Sequence, residues 1–120
     1  MKQLTKAEEE VMQLLWKLKK ANVASILEEW QEPRPAYNTV STIIRILEDK
    51  GFVSHDKVGK GHVYFPLVKK EEYSNQRLNT LVDGYFQGSF TSMVSFFMKK
   101  NDIGLKELEE IMKIIKEEKK

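Results

Sequence analysis

The hydrophobic period of this chain changes at Gly51, from that of helices to that of strands, and changes back near Leu67. Three helical segments precede the change. Two short alternating segments follow, separated by Gly59-Lys60-Gly61, and the rest is helical again. Few folds accept helix, helix, helix and hairpin within so short a segment. The order predicts a helix-turn-helix followed by a wing.

The first helix has a capping-box start, with Thr5 three residues before Glu8. Ala7, Val11, Leu14, Leu15 and Leu18 then fall on one face. Asn22 is placed to cap a second helix carrying Val23, Ile26, Leu27 and Trp30, which Pro33 and Pro35 stop. The third helix is predicted from about Tyr37 to Asp49. Tyr37, Val40, Ile43, Ile44 and Leu47 cluster on one side, with Asn38, Ser41, Thr42, Arg45 and Asp49 on the other and Thr39 on the flank. Ile46 also falls toward the polar side. In the strands, Val53, His55 and Lys57 alternate with Ser54, Asp56 and Val58. Val63, Phe65 and Leu67 alternate with His62 and Tyr64, giving a hairpin over 52–67 with a three-residue glycine loop. Pro66 belongs near a strand end.

Beyond the hairpin, Leu78, Leu81, Val82, Tyr85 and Phe86 form one stripe. Phe90, Met93, Val94, Phe97 and Met98 form another, and Leu105, Leu108, Ile111, Met112 and Ile115 a third. Ser89 is a candidate cap, and Ile103 is placed to staple onto Leu108 if Gly104 caps the last helix. The expected domains are 1–68 and 69–120. The second has three apolar stripes, no sheet, and too little chain to bury them alone. A second copy is the economical cover. The expected dimerisation residues are Leu78, Leu81, Val82, Tyr85, Phe86, Phe90, Met93, Phe97, Leu108, Ile111, Met112 and Ile115.

Length and composition exclude several classes. At 120 residues the chain is too short for a barrel or doubly wound enzyme. It has no cysteine, hence no disulfide, thiolate metal site or thiol nucleophile. No apolar run is long enough to span a membrane and the N-terminus has no signal-peptide core, so a soluble, cytoplasmic protein is expected. His55 and His62 are the only histidines, and two hairpin histidines fall short of the ligand set a metal needs. They read as solvent-facing strand residues. Glu8-Glu9-Glu10 and Glu28-Glu29 read as solvated helix surface. Trp16 and Trp30 read as packing residues. With no catalytic constellation, no cofactor and no enzyme are expected.

The third helix carries the functional signal. Its polar face holds Asn38, Thr39, Ser41, Thr42 and Arg45, side chains that hydrogen-bond to phosphates and base edges. Threonine, asparagine and serine are mediocre helix formers, so the face is better explained by contact than by helix stability. Arg34 precedes this helix, and Lys57 and Lys60 stand on the wing, Lys60 between two glycines that let the backbone approach a phosphate. Arg45, Asn38 and Thr42 are expected at bases or immediately beside them. Thr39, Arg34 and Lys60 are expected at phosphates. The net charge is only +2. A monomer with so few phosphate contacts would bind weakly at physiological salt, which again asks for two copies. Two alternatives stay open. One is a winged-helix module whose third helix docks a protein. The other is a small-molecule-sensing regulator with a pocket among Phe86, Phe90 and Met98.

Several segments resemble the penicillinase-repressor (BlaI/MecI/CopY) family. They are Leu4-Thr5-Lys6-Ala7-Glu8 with Val11-Met12 and Leu15-Trp16, Ala36-Tyr37-Asn38-Thr39-Val40, Arg45 to Gly51, and Val63-Tyr64-Phe65-Pro66-Leu67-Val68 with Glu71-Glu72-Tyr73. Leu81-Val82-Asp83, Gly88-Ser89 and Leu105 with Glu107-Leu108-Glu109-Glu110 continue it. The resemblance covers essentially the whole chain. It implies a mainly α fold with a small β-hairpin wing: a winged helix-turn-helix domain plus a three-helix dimerisation domain. It implies a homodimeric repressor on a dyad-symmetric DNA operator, with Asn38, Thr39, Thr42 and Arg45 in the recognition helix and Lys60 in the wing. It also brings in a membrane sensor protease as a partner encoded nearby. Two departures limit the carry-over. The copper-responsive branch has C-terminal cysteines, absent here. The β-lactam-responsive branch is cleaved at an Asn–Phe bond, whose best match here is Phe96-Phe97.

Overall fold

The computed structural model describes residues 2–118, with side chains described through Ile114. Ile115, expected on the last stripe, has its side chain outside the described residues. The order is α1 (Lys6–Leu18), α2 (Val23–Glu29), α3 (Tyr37–Asp49), β1 (Val53–Val58), β2 (Gly61–Pro66), α4 (Lys70–Tyr85), α5 (Phe90–Asn101) and α6 (Leu105–Glu118). The mainly helical class with a hairpin is as expected. The chain forms two compact units, Met1–Gln76 and Arg77–Lys120.

Thr5 starts α1 through the reciprocal capping box. Its Oγ1 accepts from the Glu8 amide at 3.2 Å, and its own amide donates to Glu8 Oε1 at 2.8 Å. The buried face is Glu8, Val11, Met12 and Leu15, at i, i+3, i+4 and i+7. This corrects the expected stripe, because Ala7 is exposed and Met12 is fully covered. It also removes Glu8 from the solvated surface, at 4% exposure. The Lys50 ammonium, at the end of α3, reaches both Glu8 carboxylate oxygens at 2.8 and 3.0 Å. Burial pushes the Glu8 carboxyl up. Lys50 and the Thr5 amide and hydroxyl outweigh it and hold the group below the ordinary carboxylate range.

Asn22 caps α2 by accepting from the Ser25 amide at 2.8 Å. Val40, Ile44 and Leu47 bury the inner face of α3. Tyr37, expected with them, is 56% exposed, because it borders the open groove between α3 and the wing rather than the core. Gly51 ends α3 at φ +84°. Its amide donates to the Glu48 carbonyl at 3.0 Å, and the Phe52 amide to the Leu47 carbonyl at 2.9 Å. This is a Schellman closure, with Leu47 and Phe52 both in the core.

β1 and β2 pair antiparallel from Val53↔Pro66 to Val58↔Gly61. The loop is therefore Gly59-Lys60, two residues rather than the expected three. Gly59 takes φ +59°, and glycine at the first loop position suits a tight hairpin turn. Ala21 adds a one-residue bridge to the wing. Its amide donates to the Tyr64 carbonyl at 3.0 Å, and the Tyr64 amide to the Ala21 carbonyl at 2.8 Å. The wing is thereby pinned to the segment between α1 and α2.

The opening turns of α4 belong to the first unit. Tyr73 is buried, donates from its hydroxyl to Glu9 at 2.7 Å and accepts there from the Leu4 amide at 3.3 Å. Its ring stands edge-on to Phe52. Trp16 packs on the same core, and its Nε1 donates to the Val68 carbonyl at 2.8 Å; Trp30 packs there too.

In the second unit Ser89 caps α5, accepting from the Ser92 amide at 3.1 Å. Asp102 ends it in the left-handed conformation, where the Ile103 amide donates to the Met98 carbonyl at 3.0 Å. Val82 is covered at 2% exposure, but α5 buries no residue. An apolar cavity of about 980 Å³ lies among Leu78, Leu81, Phe86, Phe97, Ile103 and Leu108.

Candidate nucleic-acid interface

Asn38, Thr39, Thr42 and Arg45 all stand exposed on α3, turned away from Val40, Ile44 and Leu47. Ser41 is half-buried on the side toward the wing. Between α3 and the wing runs a groove of about 630 Å³, bordered by Ser41 and Arg45 on one wall and by His55, Lys60, His62 and Tyr64 on the other. α3 and the hairpin thus bring Arg45 and Lys60 to one concave surface. Lys57 is exposed on β1, opposite His62.

Several groups shape the charge there. Glu48 Oε2 lies 2.6 Å from His55 Nδ1. The His55 and His62 rings lie 4.5 Å apart, and His62 Nδ1 lies 3.5 Å from the Tyr64 hydroxyl. Burial, then the Glu48 charge, push the Tyr64 phenol up; Arg45 pulls it the other way and Tyr37 adds to the rise. Tyr64 therefore stays a neutral phenol on the groove wall. Among the described residues, no cluster of three or more His, Cys, Asp or Glu side chains could hold a metal ion.

Two of the expected contact residues are engaged elsewhere. Arg34 is turned onto the end of α2: its Nε donates to the Trp30 carbonyl at 3.1 Å and Nη2 to the Glu28 carbonyl at 3.4 Å, with Glu32 at 3.6 Å. Those carbonyls are the orphan acceptors of a helix terminus, which a guanidinium satisfies well. Thr42 Oγ1 donates to the Asn38 carbonyl at 2.9 Å, so its hydroxyl proton is held on the helix. Tyr37, Tyr64 and Asn22 also border the groove, a placement that the residue pattern does not indicate. The helical period turns Tyr37 inward, and Tyr64 reaches the groove only through the strand register.

In the second unit Leu81 is 42% and Phe97 54% exposed, and Leu78, Tyr85, Phe90, Ile111 and Met112 are exposed as well. Phe86, Met93 and Leu108 are half-buried. Val82, expected among the dimerisation residues, is already covered within the chain at 2% exposure. Phe96 and Phe97 both lie inside α5. No described helix is long and apolar enough to cross a membrane.

The sequence model of a family described as "Penicillinase repressor" matches residues 4–117. The chain is 32% identical over 114 residues to the methicillin resistance regulatory protein MecI of Mammaliicoccus sciuri, covering 94% of this chain and 93% of that protein. It is 27% identical over 118 residues to the penicillinase repressor of Bacillus licheniformis, covering 98% and 92%. Among solved structures it is similar to the DNA-binding domain of the repressor BlaI, at 30% identity and TM-score 0.53, over 59% of this chain and 88% of that one. It is likewise similar to Bacillus licheniformis BlaI in its monomeric form in complex with the blaP half-operator, at 30% identity and TM-score 0.51, over 60% and 89%.

Proposed function

Because the chain belongs to the penicillinase repressor family, and is thus a winged-helix transcriptional repressor rather than an enzyme, we propose that it represses as a homodimer on a dyad-symmetric DNA operator. α3 enters the major groove and the wing lies along the backbone. Arg45 and Asn38 meet base edges, the first suited to guanine and the second to adenine. Lys60, Lys57 and Thr39 meet phosphates. The observation that carries this reading is the single concave surface on which Arg45 of α3 faces Lys60 of the wing. The BlaI complex with a half-operator supports it by similarity.

The second copy is argued from the other unit. Leu81, Phe97 and Ile111 are large apolar side chains left about half exposed, and a contiguous surface of that kind marks an interaction site. A homodimer covers it and presents two α3 helices at a spacing near one duplex turn or a multiple.

The test is a binding series on the inverted repeat upstream of the chain's own operon. Arg45→Ala is expected to weaken binding by about 1–3 kcal/mol and to relax preference at one operator position. Lys60→Ala is expected to weaken all duplexes alike and to reduce the log–log salt slope by about one. Equal loss on operator and random DNA for Arg45→Ala would contradict its assignment to a base. A salt-independent interaction would favour a protein as the occupant of the α3 face.

A further inference from the structure

Ile46 is unexplained by the fold. It is 41% exposed on α3, outside the buried set of Val40, Ile44 and Leu47. A β-branched side chain gains nothing for a helix when it stands in solvent. Single exposed apolar residues are ordinary on protein surfaces, so exposure alone decides nothing. Its neighbours do. Thr39, Thr42 and Ile46 stand at i, i+3 and i+7, one strip along the outward side of α3. The Thr42 hydroxyl is turned back onto the Asn38 carbonyl at 2.9 Å, which leaves the γ-methyl as the outward part of that side chain. The strip therefore offers methyl groups where Arg45 and Asn38, farther round the same helix, offer hydrogen bonds.

Resting on the proposed reading of α3 as a recognition helix, we infer that Ile46 and the Thr42 γ-methyl determine specificity by packing against thymine 5-methyl groups in the major groove. The thymine methyl is the one methyl group on the base edges there, and apolar side chains are its natural partners. The strip is continuous with the Asn38–Arg45 face, so the same docking that seats those two side chains brings it to the bases. This revises the role expected for Thr42, from hydrogen bonding at a base to apolar contact.

The experiment compares thymine with deoxyuridine, which differ only by that methyl. A duplex is first enriched from a random pool by the full chain, and each thymine is then replaced in turn. The wild-type chain is expected to lose about fourfold in affinity per methyl removed at one or two positions of a half-site, the worth of one buried methyl-sized group. Ile46→Ala should bind the thymine and deoxyuridine duplexes equally at one of these positions. Thr42→Ser, which keeps the hydroxyl and removes only the methyl, should do so at its neighbour. Arg45→Ala should lower affinity overall and keep the ratio. If wild type ignores the replacement everywhere, or if both strip variants keep the wild-type ratio, the inference is overturned while the repressor reading stands. If no duplex is enriched at all, both fall.

Discussion

In the first unit Val11, Met12, Leu15, Ile26, Val40, Ile44 and Leu47 are completely covered; in the second, Val82 alone among the described residues is buried. Both units are made of amphipathic helices with caps and stops of the same kind. They differ in what their apolar faces meet. α3 lays its inner face on α1 and α2, and the hairpin and Tyr73 close the remaining side. α5 and α6 leave Phe97, Ile111 and Met112 about half uncovered. An amphipathic pattern states that a face needs cover and is silent on whether the cover lies in the same chain. The first unit is a finished core with a polar outer face on α3. The second leaves its apolar faces open, and on the proposed reading a second copy covers them.

The sharpest way to break this contrast is to damage each unit in turn. Ile44→Ala opens a cavity in the finished core and should lower unfolding free energy by about 2–5 kcal/mol, read from the denaturant midpoint. Phe97→Glu should leave that transition nearly unchanged while weakening self-association by at least about 2 kcal/mol per protomer, read from sedimentation against concentration. If Phe97→Glu instead unfolds the first unit, the two halves are not separate in the way described.

A smaller effect sharpens the account of the first core. The folded Glu8 carboxyl lies below the ordinary value of 4.5, so its contribution is complete above that value and is lost as pH falls through the lowered one. Glu8→Gln should reduce stability near neutral pH by about 1–3 kcal/mol, because Lys50 loses its partner. It should also flatten the acid limb of the stability profile. A Glu8→Gln chain that keeps the wild-type acid limb would place that proton uptake on other carboxylates.

Local features of this fold are legible in the sequence, and distant contacts are not. The Thr5–Glu8 cap, the span of α3, the stop at Gly51 and the hairpin are local events, written in residues a few positions apart. The burial of Glu8 depends on Lys50, and the bridge at Ala21 depends on Tyr64. Each partner is some forty residues away, and no local period carries that information. Tyr37 has the spacing of a core residue but borders the groove that the wing forms with α3, which no local period foretells. Arg34 sits where a phosphate ligand would be expected, yet the carbonyls of Glu28 and Trp30 claim its guanidinium first. The polar face of α3 was legible from residue type alone. The turn of the Thr42 hydroxyl, which changes the chemistry that face offers, was not.

The claim on which the rest depends is that a second copy completes the unit formed by Arg77–Lys120 and so pairs two α3 faces. Sedimentation equilibrium of the full chain at micromolar concentration, alone and with the operator duplex, tests it most directly. The account predicts a species of twice the 14.1 kDa chain mass, and two chains on each duplex. A species that stays at 14.1 kDa throughout, with one chain per duplex, would contradict it.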